Sequence, residues 1–155
     1  MNVKEMMTSQ VYTCSPTTPL NSVAMTMWNN DCGAVPVVDD QQNPIAMITD
    51  RDIAMGAALQ KKPLWELNAR DITDSQQLYK CETETDIEQA LDLMREHSVR
   101  RLPVVNSQGK LAGIVTSGDI IARSNSADDA ELPFYRTEGM LKAVTGHHAP
   151  MPLTV

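Results

Sequence analysis

The sequence predicts an α/β chain made of two copies of one β-α-β-β-α unit, and three observations carry that prediction. The segment AVPVVD (Ala34 to Asp39) recurs as RLPVVN (Arg101 to Asn106), which sets Pro36 against Pro103 at a 67-residue offset. Held without gaps across Val11–Ile53 and Leu78–Ile120, that offset gives 11 identities in 43 positions, where chance supplies about one in 16. Tyr12 meets Tyr79, Cys14 meets Cys81, Thr49 meets Thr116 and Asp52 meets Asp119. Each copy also runs through the same change of period, from a helical apolar stripe to short apolar strands parted by turn residues.

The elements follow in order. Extended segments at Val11–Cys14 and Leu78–Cys81 open the two units. Leu20, Val23, Ala24 and Met27 form the first helical stripe, and Ile87, Ala90, Leu91 and Met94 repeat it in frame. Thr18 is expected to cap the first helix with Pro19 at N1, and Thr85-Asp86-Ile87-Glu88 reads as a capping box for the second. Strands at Val35–Val38 and Leu102–Val105 lead through the turns DDQQNP and NSQGK to strands at Ile45–Thr49 and Leu111–Thr116. A further helix is expected from near Arg51 and from near Gly118. The repeats occupy residues 1–60 and 61–123, with Lys61-Lys62-Pro63 at the link. Residues 124–155 form a polar linker and a tail in which Thr137 to Thr145, stopped by Gly146, reads as a short helix. Neither repeat holds many apolar residues, so one core shared by both is expected.

Composition narrows the function classes. A 42% hydrophobic content and a mean hydropathy of −0.28 describe an ordinary globular chain. No apolar run approaches the ~18 residues of a membrane span, and the start MNVKEMMTSQ lacks the stretch of a secretory signal. A cytoplasmic location is therefore expected. The net charge of −7 disfavours nucleic acid and anionic membranes as partners. Cys14, Cys32 and Cys81 make an odd number with no CxxC pair, which reads as reduced thiols and excludes structural zinc. His147-His148 reads as tail, and the ten methionines as core filling. Nothing resembles a nucleophile with its base, a carboxylate pair or a metal set, so no catalytic residue is expected.

The recurring T-x-x-D carries the chemistry. Thr49 and Thr116 end strands immediately before helices, whose first N–H groups are unpaired and suit an anion. Each threonine hydroxyl adds a donor for a phosphate oxygen. Asp52 and Asp119 follow one turn later, where a carboxylate accepts from both hydroxyls of a ribose. The plain alternative is that these carboxylates serve the helix dipole. Recurrence of the pair in the same context favours the ribose reading.

With CGAVPVVD…PIAMITDRDI in the first half and VRRLPVVN…KLAGIVTSGDI in the second, the chain resembles tandem cystathionine-β-synthase (CBS) domain proteins of the small free-standing bacterial or archaeal kind. The resemblance covers residues 1–123. It implies two repeats packed sheet to sheet about a pseudo-twofold axis, with two clefts that hold AMP, ADP, ATP, S-adenosylmethionine or similar compounds as regulatory ligands. It further implies a homodimer and regulation of another, unidentified protein, with no chemistry performed by the module. By the same resemblance one cleft joins Val11, Tyr12, Cys32 and Ala34 with Thr116, Ser117 and Asp119. The other joins Leu78, Tyr79, Val99 and Arg101 with Thr49, Arg51 and Asp52. Arg101 and Arg51 give the second cleft a phosphate grip that Ala34 and Ser117 deny the first. The rival expectation is a dimerising interaction scaffold whose clefts are empty or vestigial.

Overall fold

A computed structural model describes residues 1–124. The tail helix expected at Thr137–Thr145 and the His147-His148 pair lie outside the described residues.

The order of elements is α1 (Val3–Met6), α2 (Leu20–Asn29), β1 (Ala34–Val38), β2 (Pro44–Thr49), α3 (Asp50–Gln60), a 3-10 turn (Leu64–Glu66), α4 (Ala69–Thr73), β3 (Cys81–Glu82), α5 (Ile87–Glu96), β4 (Arg101–Val105), β5 (Leu111–Thr116) and α6 (Ser117–Ser124). The mixed α/β duplication is present, and it extends to backbone detail. In β1–β2, Ala34 faces Thr49 and Pro36 faces Met47; in β4–β5, Arg101 faces Thr116 and Pro103 faces Ile114. Both hairpins shift register at the same place, between Val37 and Val38 and between Val104 and Val105. Their turns are wound by equivalent side chains. Asp39 Oδ1 accepts from the amides of Gln41 and Asn43, and Asn106 Oδ1 accepts from those of Gln108 and Lys110. The Asn43 side chain beside Asp39 lowers that carboxyl's pKa. Left-handed residues recur at the same offset: Asp31 with Ser98, and Gln42 with Gly109.

The expected helices are present, with starts displaced by one residue. Pro19, not Thr18, stands at the first N-cap, because the Thr18 hydroxyl already accepts from the Ser15 amide at 3.0 Å. Asp86, not Thr85, caps α5 by accepting from Glu88 N at 2.8 Å, while Thr85 Oγ1 accepts from Glu82 N. The opening strands are shorter than expected. Only Cys81 and Glu82 pair in parallel with β4, and in the first repeat only Cys14 bridges to Val37. The residues just before them are turned away from the sheets to line cavities.

One shared core was expected, and the structure has two. Leu20, Val23, Met27, Val35, Val37, Ile48 and Ile53 pack in the first; Ile87, Leu91, Met94, Leu102, Val104, Val115 and Ile120 pack in the second. Each is completed from outside its β-α-β-β-α unit. Val3 and Met6 of α1 are buried in the second core, whereas Leu67 and Ala69, from the segment after Pro63, are buried in the first. This exchange ties the halves together. Thr8 and Ile114 trade backbone hydrogen bonds at 2.8 and 3.0 Å along β5. Gln76 uses its side-chain amide to the same end on β2, accepting from Met47 N at 2.8 Å and donating to Met47 O at 2.9 Å. Both hairpins therefore have their outer strands covered. The halves also meet directly, with β2 against β4 and Leu111 N donating to Gln42 O at 2.9 Å.

Candidate ligand clefts between the repeats

Two cavities open between the halves, one of about 410 Å³ and one of about 630 Å³. Both fall within the range of small-molecule sites, roughly 300–1,000 Å³.

The smaller one is walled by Val11, Tyr12, Cys32 and Ala34 of the first repeat and by Thr116 and Asp119 of the second. Ser117 does not line it; that residue's amide is turned to the Arg100 carbonyl at 2.9 Å. The larger one gathers Leu78, Tyr79, Val99 and Arg101 of the second repeat with Thr49, Arg51 and Asp52 of the first. Tyr12 and Tyr79 get there because the segments ahead of Cys14 and Cys81 leave the sheet early. The Tyr79 ring is held by His97, stacked at 3.7 Å between centroids with 11° between planes. Asn30, the counterpart of His97, lies in the wall of the smaller cavity.

The T-x-x-D pairs bind themselves first. Thr49 Oγ1 accepts from Asp52 N at 3.1 Å, and Asp52 Oδ2 accepts from Thr49 N at 2.8 Å. Thr116 and Asp119 do the same at 3.0 and 3.2 Å, and the Thr116 hydroxyl also donates to Asp119 Oδ2 at 2.7 Å. The dipole-and-cap role is therefore real. It engages Oδ2 of each aspartate and no hydrogen bond among the described residues is found at Oδ1, so a second acceptor remains on each carboxylate in a cavity wall.

The charge asymmetry differs from the expected one. The larger cavity has Arg51, Arg100 and Arg101 with Asp50 and Asp52. The smaller has Asp31 and Asp119, and Arg101 reaches it as well. Sequence reasoning missed Arg100 and the second role of Arg101. It also missed Thr8 and Gln10 of the smaller cavity, which arrive with the exchanged N-terminal segment. A long side chain at the pre-proline strand start was the available signal for Arg101; nothing in the repeat pattern points to Thr8 or Gln10. No cluster of His, Cys, Asp and Glu suited to a metal occurs among the described residues. No helix among them is long and apolar enough to cross a membrane.

A duplicated α/β module with two clefts, each shared between the repeats, defines the class of protein. The CBS domain family model matches residues 3–57 and 69–126, and the chain belongs to that family. It is 36% identical over 133 residues to the CBS domain-containing protein YhcV of Bacillus subtilis, covering 83% of this chain and 89% of that one. It is 37% identical over 121 residues to the uncharacterized protein MK0525 of Methanopyrus kandleri, covering 78% of this chain but spanning 61% of that protein's length. Among solved structures, Hypoxic Response Protein I with two coordinated zinc ions superposes at TM-score 0.72 and 29% identity, over 86% of this chain and all of that one. CBSX2 in complex with AMP superposes at TM-score 0.68 and 25% identity, over 80% and 96%.

Proposed function

We propose that this chain is a non-catalytic regulatory module, acting in the cytoplasm as a homodimer, that binds an adenosine-containing ligand (AMP, ADP, ATP or similar) between its repeats and passes the bound state to another protein. One observation carries the reading. In both cavities the T-x-x-D of one repeat faces the tyrosine-bearing segment of the other, so a carboxylate with an open oxygen and an aromatic wall share one space. The first amides of α3, expected to be open for an anion, are taken by Gly33, Asp50 and Thr49, and those of Ser117 and Asp119 in α6 by Arg100 and Thr116. The AMP complex of CBSX2 supports the ligand class.

A thermal-shift and calorimetry panel of AMP, ADP, ATP, S-adenosylmethionine and NAD at millimolar concentration tests it. A ligand at 100 times its Kd adds about 2.7 kcal/mol, which is a rise of several degrees for a domain of this size. If all five leave both measurements flat, the second reading stands: a dimerising scaffold with vestigial clefts. What favours that alternative is the exposure of large apolar side chains on the first repeat and the link, Trp28 on α2, Leu59 on α3 and Trp65 in the 3-10 turn, by 82, 75 and 71%.

A further inference from the structure

Arg101 belongs to both cavities. It opens β4, lines the larger cavity beside Arg100, and lines the smaller beside Gly33 and Ala34. Its Nη1 donates to the Gly33 carbonyl oxygen at 3.2 Å. The same carbonyl accepts from the amide of Asp50, at 3.3 Å, and Asp50 stands in the wall of the larger cavity. The duplication places Ala34 at the position equivalent to Arg101, and a methyl group cannot reciprocate. One guanidinium therefore serves two sites.

The charges make the sharing unequal. Arg101 is the one cation among the described residues lining the smaller cavity, whose lining also includes the carboxylates Asp31 and Asp119. The larger cavity holds Arg51 and Arg100 besides. A hydrogen bond to a neutral carbonyl is weaker than a forked, charge-assisted pair to a phosphate. A phosphate in the larger cavity would thus outcompete Gly33 for Arg101. Its departure leaves the smaller cavity with two carboxylates and no cation, a setting that repels an anion.

We propose that Arg101 divides the ligands between the cavities. A phosphate-bearing ligand in the larger cavity draws the guanidinium off Gly33, so the smaller cavity accepts an uncharged or cationic nucleoside and rejects a second nucleotide. This rests on the ligand reading proposed above. It adds a direction of coupling: filling the larger cavity takes one of two hydrogen bonds from the Gly33 carbonyl and loosens the 31–34 loop.

Calorimetry and amide hydrogen exchange of the full chain, with AMP and adenosine as probes, test it on the wild type and on Arg101→Met, which keeps the stem and removes the charge. Arg101→Gln, which also removes the charge, serves in its place if circular dichroism shows the methionine variant unfolded. In the wild type, AMP is expected to bind once per chain, with a second equivalent at least tenfold weaker, and adenosine to bind twice. One bound AMP should speed exchange across residues 31–34 about threefold or more. Adenosine should not, and in Arg101→Met the loop should exchange fast with or without AMP. Two equal AMP sites, or a loop that slows or does not change when calorimetry shows AMP bound, would overturn the sharing and leave the ligand reading intact. Absence of heat with both probes would remove the ligand reading itself, and this inference with it.

Discussion

The Thr116 hydroxyl donates to Asp119 Oδ2 at 2.7 Å while the Asp119 amide donates back to Thr116 Oγ1 at 3.0 Å, so the residue proposed to hold a ribose also closes the first turn of α6. Removing the carboxylate must therefore cost stability as well as binding. Asp119→Ala is expected to destabilise by about 1 kcal/mol, the usual worth of a helix cap, a fall of roughly 2–4 °C in Tm. Asp119→Asn keeps an acceptor for the Thr116 amide and should recover most of that loss. If the carboxylate also holds a ribose, both variants weaken adenosine at the smaller cavity. Melting curves and calorimetry on the pair separate the two roles.

The segment exchange can be tested at two glycines. A Cβ on Gly56 of α3 would run into Ile72 of α4, and one on Gly113 of β5 would lie 2.7 Å from the Thr8 carbonyl oxygen and 2.8 Å from Met7 Sδ. Gly56→Ala should destabilise by about 1–3 kcal/mol despite alanine's better helix propensity. Gly113→Ala should cost at least as much, because it meets backbone. Chemical denaturation gives both values; a neutral or stabilising result at either glycine would mean that the exchanged segment does not pack there.

The three thiols should separate by reactivity. Burial pushes Cys14 and Cys81 up to about 11 from the ordinary 9.0, whereas Cys32 is only partly buried, at the smaller cavity. Because the thiolate is the reacting form, a thiol reagent at pH 8 should label one cysteine per folded chain quickly and the other two only on unfolding. Between pH 9 and 11 the unfolded chain has lost these two protons and the folded chain keeps them. Stability is thus whole below pH 9 and falls as pH rises through 11. Denaturation midpoints across that window, compared with Cys14→Ala, report the contribution.

The helical face predicts how two copies meet. Met25 and Trp28 on α2 are exposed, but at the equivalent positions α5 carries Asp92 and Arg95, ion-paired at 2.9 Å. An apolar face laid on that pair would strip it of water for little return. The homodimer proposed above, about twice the 17.1 kDa chain mass, should therefore join first repeat to first repeat. Light scattering is expected to show a dimer for the wild type and for Asp92→Ala, and a monomer for Trp28→Asp. A dimer that survives Trp28→Asp places the contact elsewhere.

Much of the fold was legible because it is local and occurs twice. The stripes Leu20–Met27 and Ile87–Met94, the paired hairpins and the strand-to-helix turns at Thr49 and Thr116 all depend on neighbours within a few residues. The cap positions missed by one residue for an equally local reason: Ser15 claims Thr18, and Glu82 claims Thr85. Grouping Tyr79 with Asp52, and Tyr12 with Asp119, came from family resemblance, since no spacing rule joins residues so far apart in the chain.

What the sequence determined by itself was the repeated unit: the two main helices and the hairpin strands of each copy, which faces are apolar, and where each T-x-x-D sits. Those properties are set by periodicity, capping and turn chemistry along a short stretch of chain. Only the tertiary structure decided that Val3 and Met6 fill the second core and Leu67 and Ala69 the first, because any apolar segment of suitable size could fill either core. Only it decided that Ser117 turns to Arg100 and that Arg101 crosses to Gly33. Where a long charged side chain ends depends on which carbonyl the opposing repeat brings within 3.2 Å, and that partner lies 68 residues away.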